Sequence, residues 1–284
     1  MDTIALVDKY PSADERVIAH QISRGGGGPA AVAAVALARL GIRTAIVGTV
    51  GRDSDALEIF NIFEREGVNT SGIAIADGPT SGSVIVAAKE HSTRAISTRQ
   101  PMTQAPLTSA AKKLIADSQW IHCDHVGITR LEEMGVKRGQ GPKFSFDAGY
   151  GVEKFDSSIV DLFVPTDRMI RLRHPGLGLQ EGIKTDALSA KNVCVATSGP
   201  EGSVGYSEVS GTVTAKGFSV DVLSTLGAGD VFHGALLAQI IQERPLQEAM
   251  LRANAVAALS CLGLDGQSAI PRANELESFL EANT

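Results

Sequence analysis

The stretch STLGAGDVFHGALLAQI, Ser224–Ile240, decides how the rest of the chain is read. Gly227, Ala228 and Gly229 stand directly before a long apolar run, and an acidic residue, Asp230, sits at the junction. The first four N–H groups of a helix have no partner within it, and the aligned peptide dipoles add partial positive charge at the same end. Glycine there lets a ligand approach the backbone without meeting a Cβ. G-A-G-D opening a helix is therefore built like an anion hole. The Asp230 carboxylate would repel a resting phosphate, but it fits if it faces a hydroxyl that loses its proton while attacking phosphorus. The reading is phosphoryl transfer to an alcohol, with Asp230 as the base and the amides of Gly227, Ala228 and Gly229 holding transition-state charge. Taken alone, the same residues also serve as a plain helix cap. The stretch is not a Walker loop, since no Gly-Lys-Ser or Gly-Lys-Thr follows, and it is not G-x-G-x-x-G.

Working outward, two strong helices close the chain, Ala228–Gln242 and Leu246–Leu262, punctuated by Pro245 and Gly263. Near the start, GGGGPAAVAAVALARLG (Gly25–Gly41) reads as a glycine turn followed by a helix. Pro29 fits its first turn and Gly41 its C-terminal stop. TAIVGTVG (Thr44–Gly51) is a buried strand, and Asp53–Gly67 is a capped helix with Leu57, Phe60 and Phe63 at helical spacing. Residues 71–98 have another texture, alternating and turning often. They read as three short strands, with VIVAA and RAIST as a hairpin, and with Glu15–Ile22 they form a small separate sheet. After that the βα rhythm returns, in QWIHCDHVG, KFSFDAG, SSIVDLFVPT and KNVCVATSG. Strands alternating with helices imply a mostly parallel sheet covered on both faces, with ligands outside the strand C-termini.

Bulk properties narrow the function classes. The chain has 284 residues and a formal net charge of −6, so no basic field suits nucleic acid. Its most apolar window, Pro29–Leu40, is too short and Ala-rich to span a membrane, and Met1 is followed by Asp2 rather than by a basic and then apolar leader. Cys123, Cys194 and Cys261 are odd in number and form no C-x-x-C pair, which points to reduced thiols and a cytoplasmic protein. Cys194 and Cys261 read as small core residues.

Taken together, these motifs identify a resemblance. STLGAGDVFHGALL resembles the C-terminal signature of ribokinase-like, phosphofructokinase-B-type (PfkB) carbohydrate kinases, D-T-x-G-A-G-D-x-F-x-G. GGGGPAAVAAVALARLG followed by VGTVGRD resembles their N-terminal signature, and the lid-like region falls between the two, as in that family. The resemblance covers nearly the whole chain. It implies a single ribokinase-like kinase domain over 1–284, a three-layer α/β/α Rossmann-like fold with a small β-sheet lid. The lid segments fall at about 10–23 and 70–100. It implies an ATP-dependent kinase with Mg²⁺ accompanying ATP, acting on a sugar or similar alcohol, and a homodimer through the lid. Carried onto this sequence, Asp230 is the base and the amides of Gly227, Ala228 and Gly229 form the anion hole. Gly27 and Gly28 approach the sugar, and Asp2 matches the early Asp that binds sugar hydroxyls. Thr197, Gly199 and Gly202 match a T-x-G-x-x-G turn near the nucleotide, Thr225 matches the signature threonine, and Asn254 lies in the helix bordering the adenine pocket.

The sequence also departs from the family pattern. Ser224 stands where the signature has Asp, which leaves activation by a monovalent cation such as K⁺ open. Thr166 and Met169 occupy the place of N-x-x-E, so no Mg²⁺ ligand set is read from the sequence. Val32 stands near the Asn that reads the sugar in ribokinases. Family members begin with a strand ending in the early Asp, and this sequence starts at Met1-Asp2. The expectation is that the native protein carries residues ahead of Met1, which an intact-mass measurement would show.

For the substrate, the G-G-G-P-A-A variant is similar to the branch of sulfofructose kinase and some fructokinases. Arg16 on the first lid strand and Arg99 at the end of another are candidate cations for an anionic substrate, or else solvated lid residues. Asp124 and His125 at a strand end are expected to face the sugar. The His122/His125 pair reads as structural or sugar-binding rather than as a metal site, because strand residues alternate faces. His233, one turn beyond Asp230, reads as a packing residue. The expected function is transfer of the ATP γ-phosphate to a primary hydroxyl of a fructose-like or anionic ketose. Two alternatives stand beside it. One is a nucleoside kinase, disfavoured because residues 70–100 contain no Phe, Tyr or Trp to stack a base. The other is a non-catalytic sugar- or nucleotide-binding regulator on the same fold.

Overall fold

The computed structural model describes residues 1–90, 93–99, 103–148 and 154–283. The chain opens with β1 (Asp2–Val7) and β2 (Gln21–Gly25), then α1 (Pro29–Arg39), β3 (Ala45–Val50), α2 (Ser54–Arg65) and β4 (Asn69–Ile75). The hairpin β5 (Ser83–Ala88) and β6 (Thr93–Thr98) follows. The βα alternation then runs through α3 (Ser109–Asp117), β7 (Trp120–Cys123), α4 (His125–Glu133), β8 (Lys143–Ala148), β9 (Leu162–Pro165), α5 (Asp167–Arg173), α6 (Leu179–Ala190) and β10 (Val193–Thr197). A second hairpin, β11 (Gly202–Ser207) and β12 (Gly211–Lys216), leads to α7 (Ala228–Ile241), α8 (Leu246–Ser260) and α9 (Ala273–Asn283).

Local chemistry sets the helix starts. Asp53, Thr108, Asp124 and Thr166 each accept a backbone N–H from the first turn of α2, α3, α4 and α5. The helix α1 instead begins with Pro29, whose missing N–H would have had no partner there.

The main sheet has six strands in the order β12-β11-β10-β9-β8-β7, parallel from β7 to β10 and antiparallel beyond. Its strands are apolar on both faces. Leu162, Val164 and Val195 enter one core with α1, α7 and α8, while Phe163, Cys194 and Ala196 enter another with Ile170 and Ile183 of α5 and α6. That is the layering expected of a parallel sheet with helices on each side. On the first face, α7 crosses α1 closely, with Gly234 against the main chain of Ala33. The three cysteines are unpaired and buried. Among the described residues no helix is long and apolar enough to cross a membrane.

Three differences from the sequence reading concern the smaller sheets. The separate sheet has four strands in the order β2-β1-β5-β6, and its strand beside β5 is Asp2–Val7. The segment Asn69–Ile75, expected in that sheet, pairs in parallel with β3 instead. Glu15–His20 is not a strand: β2 starts only at Gln21, so Arg16 lies in an exposed loop. The reason is pairing across long sequence separations, which period-2 alternation does not encode.

Within the four-stranded sheet, Ile4, Leu6, Ile85 and Ala87 are buried against Leu226 and Leu264, so this face lies over the turn that precedes α7. Register puts Asp2, Ser83 and Thr98 in one row of that face, and Leu6, Ala87 and Arg94 in another.

Candidate active site

Two glycine turns meet at one place. Gly227 takes φ 74°, ψ 0°, a left-handed conformation that favours glycine, and ends the turn that launches α7. The helix has no side-chain cap. The backbone bonds at its first turn are Val231 N–H to Gly227 O at 2.9 Å and a long one, Ala228 N–H to Thr225 O, at 3.4 Å. The amides of Gly229 and Asp230 therefore find no acceptor among the described residues, and an added Cβ at Gly229 would meet open space. The sequence reading named the amides of Gly227, Ala228 and Gly229; here Ala228 N–H has the Thr225 carbonyl as partner, and the open amide of Asp230 joins that of Gly229 at a helix start suited to an anion. The second turn, Gly25–Gly28, launches α1. A Cβ on Gly27 would overlap the carboxylate of Asp2, so only glycine lets the two approach. The turn 265–268 braces both: Gly266 lies against Gly227, and the Gln267 and Asp265 side chains lie against Gly26 and Gly25. Asp265 is fixed by accepting the N–H groups of Gln267 and Ser268 at 2.9 and 2.6 Å. Asp2, Gly27, Gly28 and Gly227–Asp230 thus form one constellation. Burial raises the Asp2 carboxyl above its ordinary range, opposed by the chain-terminal amine and by Ser83.

Asp230 sits among charges that the sequence did not bring together. It is half-buried by surface, yet its carboxyl is walled by protein. Burial raises its pKa, and the nearby Asp147 carboxylate, within hydrogen-bonding reach, raises it further. His233 and Arg94 pull the other way, and the balance falls at about 7. Asp147 lies near the C-terminal end of β8, and its Oδ2 is 2.8 Å from His233 Nδ1. That contact is a close charge pair without in-line hydrogen-bond geometry. Burial would lower the His233 pKa, but Asp147 and Asp230 outweigh it and hold it above the ordinary value. His233 is therefore not a mere packing residue, because on its helix it turns toward Asp147.

Arg94 is the cation that the sequence reading missed. It extends from β6 of the small sheet and donates through Nη1 to Thr225 Oγ1 at 3.2 Å, beside Asp230. Of the two arginines proposed from sequence, Arg16 is exposed in its loop, and Arg99 donates to the carbonyl of Thr80 at 2.7 Å. Among the described residues neither forms a hydrogen bond or ion pair with the constellation: Arg16 lies in a loop before β2, and Arg99 lies just past the end of β6.

Other expected residues fall elsewhere. Asp124 accepts the N–H groups of Val126 and Gly127 at 3.0 and 2.8 Å, so it caps α4, and His125 is exposed. Thr197, Gly199 and Gly202 form the turn after β10, at the same C-terminal edge of the sheet as Asp147. Asn254 is buried, and its Nδ2 lies 3.0–3.1 Å from Ser203 Oγ, Ala215 O and Lys216 O. Its amide nitrogen ties α8 to the β11–β12 hairpin. Ser224 Oγ accepts the Leu226 N–H at 3.2 Å, and Thr166 Oγ1 accepts the Met169 N–H at 3.2 Å. Among the described residues no group of three or more His, Cys, Asp or Glu is arranged to hold a metal ion.

The profile described as pfkB family carbohydrate kinase matches residues 1–134 and 172–273. The chain is 26% identical over 298 residues to ribokinase of Bacillus subtilis (strain 168), covering 99% of this chain and 96% of that protein. It is 28% identical over 261 residues to fructokinase-2 of Solanum lycopersicum, covering 83% of this chain and 78% of that protein. Among solved structures, Arabidopsis thaliana ribokinase complexed with ribose and ATP superposes with a TM-score of 0.80 at 17% identity, over 99% of this chain and 95% of that one.

Proposed function

The chain belongs to the pfkB family of carbohydrate kinases, phosphotransferases with an alcohol acceptor, and from that premise we propose that it transfers the ATP γ-phosphate to a primary hydroxyl of a sugar, with Asp230 as general base. The observation that carries this reading is the meeting of a carboxylate and unpartnered helix-start amides at one point, beside the Asp2–Gly27 approach. The sugar hydroxyls are held by Asp2 over the Gly27–Gly28 turn. The reacting hydroxyl gives its proton to an Oδ of Asp230 while its oxygen bonds to the γ-phosphorus, and the bond from phosphorus to the β,γ-bridging oxygen breaks. The amides of Gly229 and Asp230, with Arg94, offset the charge on the transferring group. Mg²⁺ would accompany ATP and offset the charge of its phosphates, and Thr197, Gly199 and Gly202 are the residues expected near the nucleotide. The K⁺ question rests on Ser224, whose hydroxyl accepts a backbone N–H within its own turn.

The arginines that suggested an anionic sugar lie away from the constellation, so a neutral ribose- or fructose-like sugar is the favoured substrate. A homodimer through the small sheet is part of the reading. On its outer face Ile22 and Val84 are exposed at 69% and 59%, in register with Ala5 and Thr3. Light scattering on the purified protein gives its mass in solution. The deciding assay is ADP release with MgATP against ribose, fructose and their phosphorylated or sulfonated counterparts. Turnover highest with a neutral sugar supports the reading. Stabilisation by a sugar with no ADP release from any of the panel replaces it with the non-catalytic one.

A further inference from the structure

Two surface clefts, of about 440 and 400 Å³, lie at residues 259–275 beside Arg39 and at residues 128–138 beside Phe144, and neither touches Asp230. The buried Asp186 is saturated by Ser157, Arg173 and His174, a structural network. The buried polar group with more to say is beneath the base itself. Asp147 and His233 are only 8% and 4% exposed, and a proton-transfer scheme with Asp230 alone leaves both unused.

We propose that Asp147 and His233 are positioning residues for Asp230, a buried carboxylate–imidazolium pair that orients the base and takes a share of the proton it receives. The inference deepens the kinase reading and rests on it. The three groups come from the end of β8 and the first turns of α7. Asp230 is within hydrogen-bonding reach of Asp147, whose Oδ2 is 2.8 Å from His233 Nδ1. The charged groups facing these three come from several elements. Arg94 of β6 approaches Asp230 from above, and His122 of β7 meets the His233 ring edge-on at 6.0 Å, with Asp124 beyond it. His122 Nδ1 is 3.1 Å from Ser145 Oγ, and its Nε2 is buried without a hydrogen-bond partner. Burial, together with the neighbouring His233, drives His122 down to about 4, so it is a neutral wall and the single imidazolium of the cluster is His233.

The consequence for the reaction is specific. Two carboxyl groups this close hold one proton between them more readily than none, so the pair titrates together. When the sugar hydroxyl gives up its proton, Asp230 receives it and shares it with Asp147. His233 balances the remaining negative charge. The proton leaves to water as the phosphorylated sugar and ADP depart. Removing Asp147 makes Asp230 a more acidic and weaker base, whereas removing the His233 charge makes its protonated form harder to discharge.

The test is the pH profile of kcat in wild type, Asp147→Asn and His233→Asn, each checked for an intact fold by circular dichroism. The acid limb of the wild type is expected near pH 7. It moves down by about one pH unit or more in Asp147→Asn and up by about half a unit or more in His233→Asn. Turnover by all three with limbs that do not move in opposite directions overturns the proposal and leaves the kinase reading standing. Carboxyl and imidazole NMR titration of the resting wild type decides the point without turnover and without variants. Asp147 and Asp230 titrating as a coupled pair, with the His233 ring holding its proton above the ordinary imidazole range, supports it. Independent titration at ordinary carboxylate values, or a neutral His233 ring at pH 6.5, overturns it.

Discussion

Asn254→Ala separates two roles for one residue. The resemblance places Asn254 beside the adenine pocket, while the structure places its Nδ2 within 3.0–3.1 Å of Ser203 Oγ, Ala215 O and Lys216 O. An amide NH₂ has two hydrogens, so at most two of these three acceptors are satisfied at once. Two net hydrogen bonds contribute about 1–3 kcal/mol, and a buried carbonyl left without a donor adds about 1 kcal/mol, giving a loss of about 2–4 kcal/mol. For 284 residues the unfolding entropy is about 0.6 kcal/mol per kelvin, so Tm falls by about 3–7 °C. Calorimetry reads the shift, and steady-state kinetics reads the KM for ATP, which is expected to stay within about twofold because the α8–hairpin contact is remote from chemistry. A Tm within about 1 °C of wild type, together with a KM for ATP raised about tenfold or more, would refute this reasoning and return the amide to the nucleotide.

Other outcomes follow from the same geometry. Gly27→Ala places a methyl group into the Asp2 carboxylate, so the sugar KM rises by about tenfold or more with little change in the KM for ATP. Arg94→Ala removes the cation beside Thr225 and Asp230 and lowers kcat by about 10–100-fold, which single-turnover ADP formation would report. His122 is held neutral by burial, with its pKa lowered to about 4, while the unfolded chain protonates near 6.5. Its contribution is present above pH 6.5 and is lost as pH falls toward 4, by at most about 3 kcal/mol. Asp230, raised to about 7, acts with the opposite sign over its own window, so the comparison must be between variants. Urea unfolding of His122→Gln is expected to lose less stability than wild type between pH 6.5 and pH 4.

Much of this molecule is written locally. The anion-hole turn, the Pro29 helix start and the two closing helices are set by residues within one or two turns of one another. Their observed bounds, Ala228–Ile241 and Leu246–Ser260, differ from the expected ones by only a residue or two at the C-terminal ends, where helices fray. The resemblance singled out Asp2, Gly27 and Gly28 one by one, and the close approach of Asp2 to Gly27 came from the fold. What the sequence concealed depends on partners far away in the chain. The alternation in Asn69–Ile75 suits a lid strand as well as a partner for β3, and only packing chooses between them. Arg94 reaches Thr225 because β6 pairs with β5 in a register that turns Arg94 inward. Arg16 fails because the strand meant to carry it begins five residues later. His233 reads as a packing residue on any helical wheel, since nothing local to α7 announces Asp147 on β8. An acidic residue ending a buried parallel strand and a histidine one turn inside a catalytic helix were the available signals, and pairing them needed the fold.

The central claim is that Asp230 accepts the proton of a sugar hydroxyl during phosphoryl transfer. The most direct measurement is ADP release by Asp230→Asn with MgATP and the sugar preferred by wild type, alongside sugar and ATP binding to the same variant. The account predicts a kcat lower by about 10²–10⁴-fold with both ligands still bound. Turnover within a few-fold of wild type would contradict it.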